Sequence, residues 1–548
     1  MNLNLTSQIL KSLDHSESSG SLIDYDDIAL LGLTIRLNCL EKRFHLDLPR
    51  EKFYITTAID YVNAYPHLGH LYEKVCADII ARWNRLIGRD VFFLTGTDEN
   101  AAKNEKAARE AGLEVKDFID RNAKRFQELC RAFNISNDDF IRTTEERHRK
   151  VSQLIFKKMF ENGDIYKGSY SGLYCYGCEE YKTEKDLVDG KCPEHGTEPE
   201  YIEEECYFFR LSKYEKQVLE LIEQNQFIIP EKRKQEMIAR IKSEGLRDLA
   251  VSRSRVGWGV EVPFDPKHKI YVWVDALVNY ISALGYPDGE KYKKYWPADV
   301  HLIGKGINWF HSVIWPAILL SCGIPLPKHI LVHGYITIGG EKLSKSKGTA
   351  IDPFKLLEKY EVDAIRYFLA RDIPFFEDGD FSEKALVERV NGELVGNIGN
   401  FIHRTLTLIW NLYNGEVPEP HGYENDEDCM RLLESIKMLP NTMREKFENY
   451  EIDKALKEVA DFSIQCNRFL QAKEPWKTKD PNALFLCVNA VRTLAITLRP
   501  YLPSSSEKIW KMLNLDGLPE DYGWDSAGEL AIKPGHRISK PEIVFKKI

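Results

Sequence analysis

The chain contains no apolar run of about 18 residues free of charge, the length that a bilayer-spanning helix needs. Its most apolar segment, 313–326, is shorter and is interrupted by Pro316, Gly323 and Pro325, so no membrane span is expected. The N-terminus lacks a basic stretch followed by an apolar core, which excludes a secretory signal. Asp14, Glu17, Asp24, Asp26 and Asp27 argue against an acid-poor transit peptide, and a cytoplasmic protein is expected. Positive charge is also short. A formal net charge of −9 weighs against a wholly basic nucleic-acid-binding surface, although local patches matter more than totals. One patch, Lys232, Arg233, Lys234, Arg240, Lys242 and Arg247, reads first as a solvated helix face. No cysteine pattern suggests an extracellular disulfide framework. Four of the eleven cysteines lie between Cys175 and Cys206 and the rest are scattered, which points to one local metal site and otherwise free thiols.

What is present is ordinary globular material: 548 residues, 43% hydrophobic and 29% charged, enough for several structural units. Residues 1–50 form an extension rich in Ser and Asp, without a motif. From Lys52 the pattern changes. Phe53 to Ile59 reads as a buried strand and Asp60 to Pro66 as a loop. Leu68, Leu71, Val75, Ile79, Ile80, Trp83 and Leu86 then recur at helical spacing, and Asp90 to Thr95 reads as a second strand. Strand, loop, helix, strand predicts a parallel βαβ unit, whose ligands sit beyond the carboxyl ends of the strands. A Cys-rich insertion follows. A second α/β portion has strands predicted at Lys269–Val274, His301–Ile303 and Ile330–His333. The rest is helical in period, with Ala483–Leu498 one long amphipathic stretch ended by Pro500.

Three motifs carry chemistry. Pro66-His67-Leu68-Gly69-His70 falls at the strand-to-helix turn. Two imidazoles there can donate to phosphate oxygens at a helix N-terminus, and Gly69 lets an adenine ring approach the backbone. Alone, the pair could equally be a surface or metal pair. Lys342-Leu343-Ser344-Lys345-Ser346-Lys347-Gly348 follows Gly339-Gly340. Its lysines can neutralise charge that builds on a triphosphate, although an exposed basic loop would look the same. Cys175-x2-Cys178-x13-Cys192-x2-His195 supplies three thiolates and one imidazole at knuckle spacing. That suits one closed, structural Zn2+ per chain in a segment too short and polar to fold on a core.

The first two motifs, in this order, resemble the signatures of class I aminoacyl-tRNA synthetases, with Leu68 and Leu343 as conservative changes. From Lys52 to Ile548 the chain resembles the methionyl-tRNA synthetase family, in which a zinc knuckle is inserted between the catalytic halves. Ile59-Asp60-Tyr61-Val62-Asn63, Tyr271-Val272-Trp273-Val274-Asp275-Ala276 with Tyr280, and Asn308-Trp309-Phe310-His311 are similar to the family's methionine pocket. Aromatic walls suit a polarizable thioether. The resemblance implies a Rossmann-type parallel-sheet catalytic domain with an inserted zinc-knuckle connective domain, followed by an α-helical anticodon-binding domain. The segments would be 51–165 and 249–345 for the catalytic halves, 166–248 for the insertion, 346–384 for a linker and 385–548 for the helical domain. It implies catalysis by His67, His70, Lys342 and Lys345. ATP would meet His67, Gly69, His70, Gly304, Lys342, Ser344 and Lys345, and methionine would meet Ile59, Tyr61, Asp98, Trp273, Ala276, Tyr280, Ile307 and His311, with Asp98 on the ammonium. The anticodon would meet Asn400, Arg404 and Trp476, the last able to stack on an unpaired base. Expected substrates are L-methionine, ATP with Mg2+, and tRNA(Met).

Two positions depart from the family. Asn100-Ala101 stands where His-Gly is usual, and Gly306 stands where an Asp is usual, a carboxylate that could have anchored Arg253. These departures are the one support for a rival reading, a paralogue with altered substrate or with a non-catalytic RNA-binding or assembly role. The synthetases for leucine, isoleucine and valine carry a long editing domain in the insertion. Roughly 100 residues between the catalytic halves leave no room for one. No further tRNA-binding or dimerisation domain follows the helical segment, so a monomer is expected.

Overall fold

Strands that are buried on both faces read as continuous apolar runs, and the catalytic half is built from such runs. A computed structural model describes residues 50–176, 180–193, 196–224, 226–342 and 350–548; the expected N-terminal extension lies outside them except for Arg50. Seven strands form one all-parallel sheet: β1 (Lys52–Thr57), β2 (Asp60–Tyr61), β3 (Asp90–Asp98), β4 (Asp139–Arg142), β5 (Ile228–Ile229), β6 (Val300–Gly304) and β7 (His329–His333). Their order is β2-β3-β1-β6-β7-β5, with β4 also beside β3. The expected βαβ unit is present: β1 runs into α1 (Leu68–Leu86), and β3 returns parallel to β1 with Phe53 opposite Val91. On the other side of β1, Ile55 faces Val300 of β6. Chain order therefore reverses at β1, and a cleft opens at such a switch point, beyond the strand ends.

Alternate residues feed two cores, as the two-residue strand period requires. Tyr54, Phe92, Leu94 and Ile303 face one core. Phe53, Ile55, Phe93 and Leu302 face the other, against α1, and this second core runs on without a break into the C-terminal helices. Between the catalytic halves lies a four-stranded antiparallel sheet, in which Ile165–Cys175 pairs with Glu200–Phe209. Helix α2 (Glu146–Glu161) precedes this insertion.

One strand expectation fails. The segment predicted as Lys269–Val274 is strand only to Ile270; Val272–Leu277 is a helix, α3. Every residue of α3 is buried, so hydrophobicity carries no period there and β-branched valines mislead. The basic patch also dissolves. Arg233 and Lys234 are each only 8% exposed; they pair with Glu236 and Glu231, Lys242 pairs with Glu223, and the Arg240 guanidinium lies 4.0 Å over the Trp309 ring.

The C-terminal part is helical: α4 (Val362–Asp372), α5 (Asn400–Tyr413), α6 (Glu427–Glu448), α7 (Ile452–Lys473) and α8 (Pro481–Leu498). Helix α8 starts on an Asp480 cap, with Pro481 in its first turn, the pairing expected at a helix start. It is long and apolar enough to cross a membrane, but 89% of it is buried inside the fold. From α4, Arg366 donates to the Asp78 carboxylate of α1 at 2.6 Å and to the carbonyls of Phe133, Pro500 and Tyr501. Neither charged side chain is exposed. Burial pushes Asp78 up, but Arg82, Arg366 and a hydrogen bond from Ser136 outweigh it and hold the carboxyl at about 2.

A native carboxyl held below its unfolded pKa of about 3.9 stabilises the fold fully above that pH. The contribution, about 2 kcal/mol, is lost as pH falls from about 4 towards 2. At pH 7, Arg366→Met leaves Asp78 to Arg82 and Ser136 and takes the donor from three buried carbonyls, and it should cost about 1–3 kcal/mol in denaturant unfolding. A variant as stable as the parent would show that the contact is dispensable.

Candidate active site

The cleft, about 440 Å³, opens where β1, β6 and β7 end, and Ala58, Gly304 and His333 line it. Its front edge is the start of α1. His67 is the helix N-cap: its Nδ1 accepts from the Gly69 N–H at 3.1 Å, while its own N–H donates to His70 Nδ1 at 3.0 Å. A backbone N–H can only donate, so both Nδ1 atoms are acceptors and each neutral ring carries its proton on Nε2. The rings stack at 3.7 Å, and Phe126 meets His70 edge-on at 5.2 Å. Both histidines line the cleft. Two N–H donors thus stand at the positive end of a 19-residue helix, an arrangement suited to a phosphate.

Lys345 and Ser344 lie outside the described residues, as does the Lys342 side chain, but both roots of their loop are defined. On one side Ile336–Ile338 and Glu341–Lys342 pair as a hairpin that turns at Gly339 and Gly340, φ +58° and +80°. Asp380 accepts from Thr337 Oγ1 at 2.9 Å and from Gly340 N–H at 3.0 Å, which fixes the turn. On the other side the Ile351 carbonyl accepts from the Leu68 N–H at 3.0 Å. The described chain therefore resumes, after the lysine motif, beside the histidine turn.

The apolar end of the site is aromatic. Trp273 stacks on Phe310 at 3.8 Å and meets Tyr61 and His311 edge-on. His311 Nδ1 donates to the Ile307 carbonyl at 3.0 Å, so its Nε2 accepts from the Tyr280 hydroxyl at 2.7 Å. Burial lowers the His311 pKa to about 4, which keeps the ring neutral. Ile59, Tyr61, Gly69, Trp273, Gly304 and Ile307 line the cleft. Asp98, Ala276, Tyr280 and His311 are buried behind that lining; Asp98 lies opposite Tyr61 in the β2–β3 register.

Sequence reasoning missed two buried pairs here. Lys74 has no exposed surface, and its ammonium donates to Asp60 in the cleft wall, with His70 Nε2 4.0 Å from that carboxylate. Burial opposes the Lys74 charge, but Asp60, Cys130 and Glu73 outweigh it and raise the pKa. His333 bonds Glu73 at 3.0 Å. A lysine four residues after His70 reads as solvent-facing, because no local pattern points to a partner on another strand. Arg253 does not reach the catalytic cleft. It lies 5.1 and 4.6 Å from the Tyr174 and Tyr271 ring centres and 3.9 Å from Glu204, in a second cleft of about 600 Å³.

Farther along the chain, Asn400 bonds Asn467 at 3.2 Å, Arg404 bonds Gln471 at 3.4 Å, and the Arg404 guanidinium lies 5.2 Å over the Trp476 ring. A left-handed Glu474, φ +42°, ends α7 and turns Trp476 back onto α5. Of the zinc set, Cys175 and Cys192 are buried, while Cys178 and His195 lie outside the described residues. Among the described residues no three metal-ligating side chains converge.

Comparison with known proteins gives a consistent result. The family model described as tRNA synthetases class I (M) matches residues 53–201 and 185–406, and that for the anticodon binding domain of methionyl tRNA ligase matches 417–548. A methionine–tRNA ligase of Caldanaerobacter subterraneus is 44% identical over 91% of this chain and 79% of its own length. One from Brucella suis is 42% identical over 91% of this chain and 98% of its own. The solved Mycobacterium tuberculosis methionyl-tRNA synthetase in complex with methionyl-adenylate matches with a TM-score of 0.87 at 39% identity, covering 90% of this chain and 99% of the other.

Proposed function

The chain belongs to the methionine–tRNA ligases of class I, and from that membership we propose which residues carry each step. Methionine is first activated with MgATP to methionyl-adenylate and pyrophosphate. The methionyl group then passes to the terminal ribose of tRNA(Met). Neither step needs a covalent enzyme intermediate, so positioning and charge stabilisation supply the catalysis. The observation that carries the assignment is the pair of Nε2–H donors on His67 and His70, tied through Leu68 N–H to the root of the lysine loop. His67 and His70 hold the phosphates. Lys342 and Lys345 neutralise the charge that leaves with pyrophosphate.

Methionine lies with its thioether against Trp273, Tyr61 and Ile59, above Ala276 and the Tyr280–His311 pair. Its ammonium lies on Asp98, and ATP passes Gly69 and Gly304. A neutral His311 supports this reading, because a cation there would repel the ammonium and disfavour the apolar side chain.

We propose one zinc ion held by Cys175, Cys178, Cys192 and His195, supplying structure and no chemistry. Cys175 and Cys192 are buried in a segment whose neighbours are mostly exposed. The Cys192 carbonyl accepts from Gly196 N–H at 2.7 Å, and the Cys192 N–H donates to the Thr197 carbonyl at 2.9 Å. Metal analysis should find about one zinc per chain, and a zinc-free preparation that charges tRNA at full rate would exclude the site.

Asn400, Arg404 and Trp476 form one row on α5 and the turn after α7, and we assign them to the anticodon. Trp476→Ala should leave methionine-dependent pyrophosphate exchange near normal. Charging of full tRNA should weaken by about 1–3 kcal/mol, the value of one base–aromatic stack. A minihelix without the anticodon should be charged equally by both proteins. Equal loss on both substrates, or a collapsed melting curve, would make Trp476 structural.

A further inference from the structure

Asn100 stands just past the end of β3, two residues beyond Asp98. Its side chain makes two contacts. Nδ2 donates to Asp275 Oδ2 at 2.7 Å and to the Thr143 carbonyl at 3.2 Å. Its backbone N–H reaches Asp98 Oδ1 at 3.3 Å. Asp275 is fully buried in the middle of α3, between Trp273 and Ala276. A buried carboxylate needs donors on both oxygens. His148 of α2 faces Oδ1 at 3.0 Å, and Asn100 supplies the donor to Oδ2.

The amide therefore joins two elements that are far apart in sequence and meet the substrate at opposite ends. One is the Asp98 turn, where the ammonium lies. The other is α3, whose Trp273 and Ala276 hold the thioether. An amide can do this because it presents two N–H groups from one planar nitrogen, one to a carboxylate and one to a carbonyl. The turn is held from outside as well: Trp258 Nε1 donates to the Glu99 carbonyl at 2.8 Å and Asn104 Nδ2 to the Asp98 carbonyl at 3.0 Å.

We infer that Asn100 is a positioning residue for methionine, setting the distance between the ammonium carboxylate and the thioether wall. The inference rests on the assignment of Asp98 and Trp273 to methionine. Among the described residues the Asn100 amide bonds Asp275 and Thr143 and no residue of the histidine turn, so ATP affinity should be insensitive to it.

The test is pyrophosphate exchange with full-length Asn100→Ala and Asn100→Asp, with KM read separately for methionine and ATP. The alanine variant should raise the methionine KM about tenfold, with kcat and the ATP KM changed less than about twofold, and should melt somewhat earlier than the parent, because Asp275 Oδ2 loses its donor. The aspartate variant has the same size but no donor, and it sets a second carboxylate against Asp275. It should be as weak for methionine or weaker. An unchanged methionine KM in the alanine variant, parent-like binding in the aspartate variant, or an equal rise in both KM values would each overturn the inference. Asp98→Asn, assayed alongside, separates the premise from the inference. Lost methionine affinity there with a parent-like Asn100→Ala discards only the role of Asn100. An unchanged Asp98→Asn discards the ammonium assignment itself.

Discussion

Taking a guanidinium fully out of water is costly unless each of its nitrogens finds a partner. Arg366 meets that condition with one carboxylate and three carbonyls, and its partners come from parts of the chain that share no local sequence. Asp78 lies eleven residues along α1 from His67, roughly 16 Å at the rise of an α-helix. Pro500 and Tyr501 follow the long apolar helix of the C-terminal part. One buried charge thus fixes the helix that begins at the histidine turn against the end of α8. The continuous core on that side of the sheet supplies the bulk of the attraction, and the ion pair sets its register. Apolar contact is non-directional; a matched guanidinium is not.

The same logic governs the catalytic cleft at shorter range. His67 and His70 become donors because the first backbone N–H groups of α1 occupy their Nδ1 atoms. His311 stays neutral because it is buried and bonded to a carbonyl. Each ring has one available tautomer, chosen by backbone geometry. The histidine end of the cleft is left with N–H donors and the Trp273 end with neutral aromatic surface. A zwitterionic amino acid with an apolar side chain fits that polarity in one direction only.

Much of this was legible in the sequence. The histidine turn, the lysine loop and the β1–α1–β3 unit have local signals: a strand, a capped helix start, glycines at a hinge. The aromatic pocket was legible only by resemblance, because a buried Trp or Tyr has no period that separates a binding wall from plain core. What stayed hidden depends on long-range burial. Lys74, Arg233 and Lys234 are charged residues on helices and read as exposed, yet they are enclosed, and only the packed fold supplies Asp60 to Lys74. The predicted strand Lys269–Val274 overruns into the helix Val272–Leu277 because all faces of that helix are buried. Asn100 looked like a lost histidine, and its Asp275 partner lies 175 residues away. Gly306 removes a carboxylate, and Arg253 is found instead beside Glu204 of the insertion sheet.

The central claim is that this cleft activates methionine and no other apolar amino acid. Amino-acid-dependent exchange of labelled pyrophosphate into ATP, without tRNA, reads that step alone. The account predicts exchange with methionine. With leucine, isoleucine or valine it predicts exchange about ten- to two-hundredfold slower in kcat/KM, since one misfitted apolar group in such a pocket is worth about 1–3 kcal/mol. Absence of exchange with methionine, or equal exchange with leucine, would contradict it.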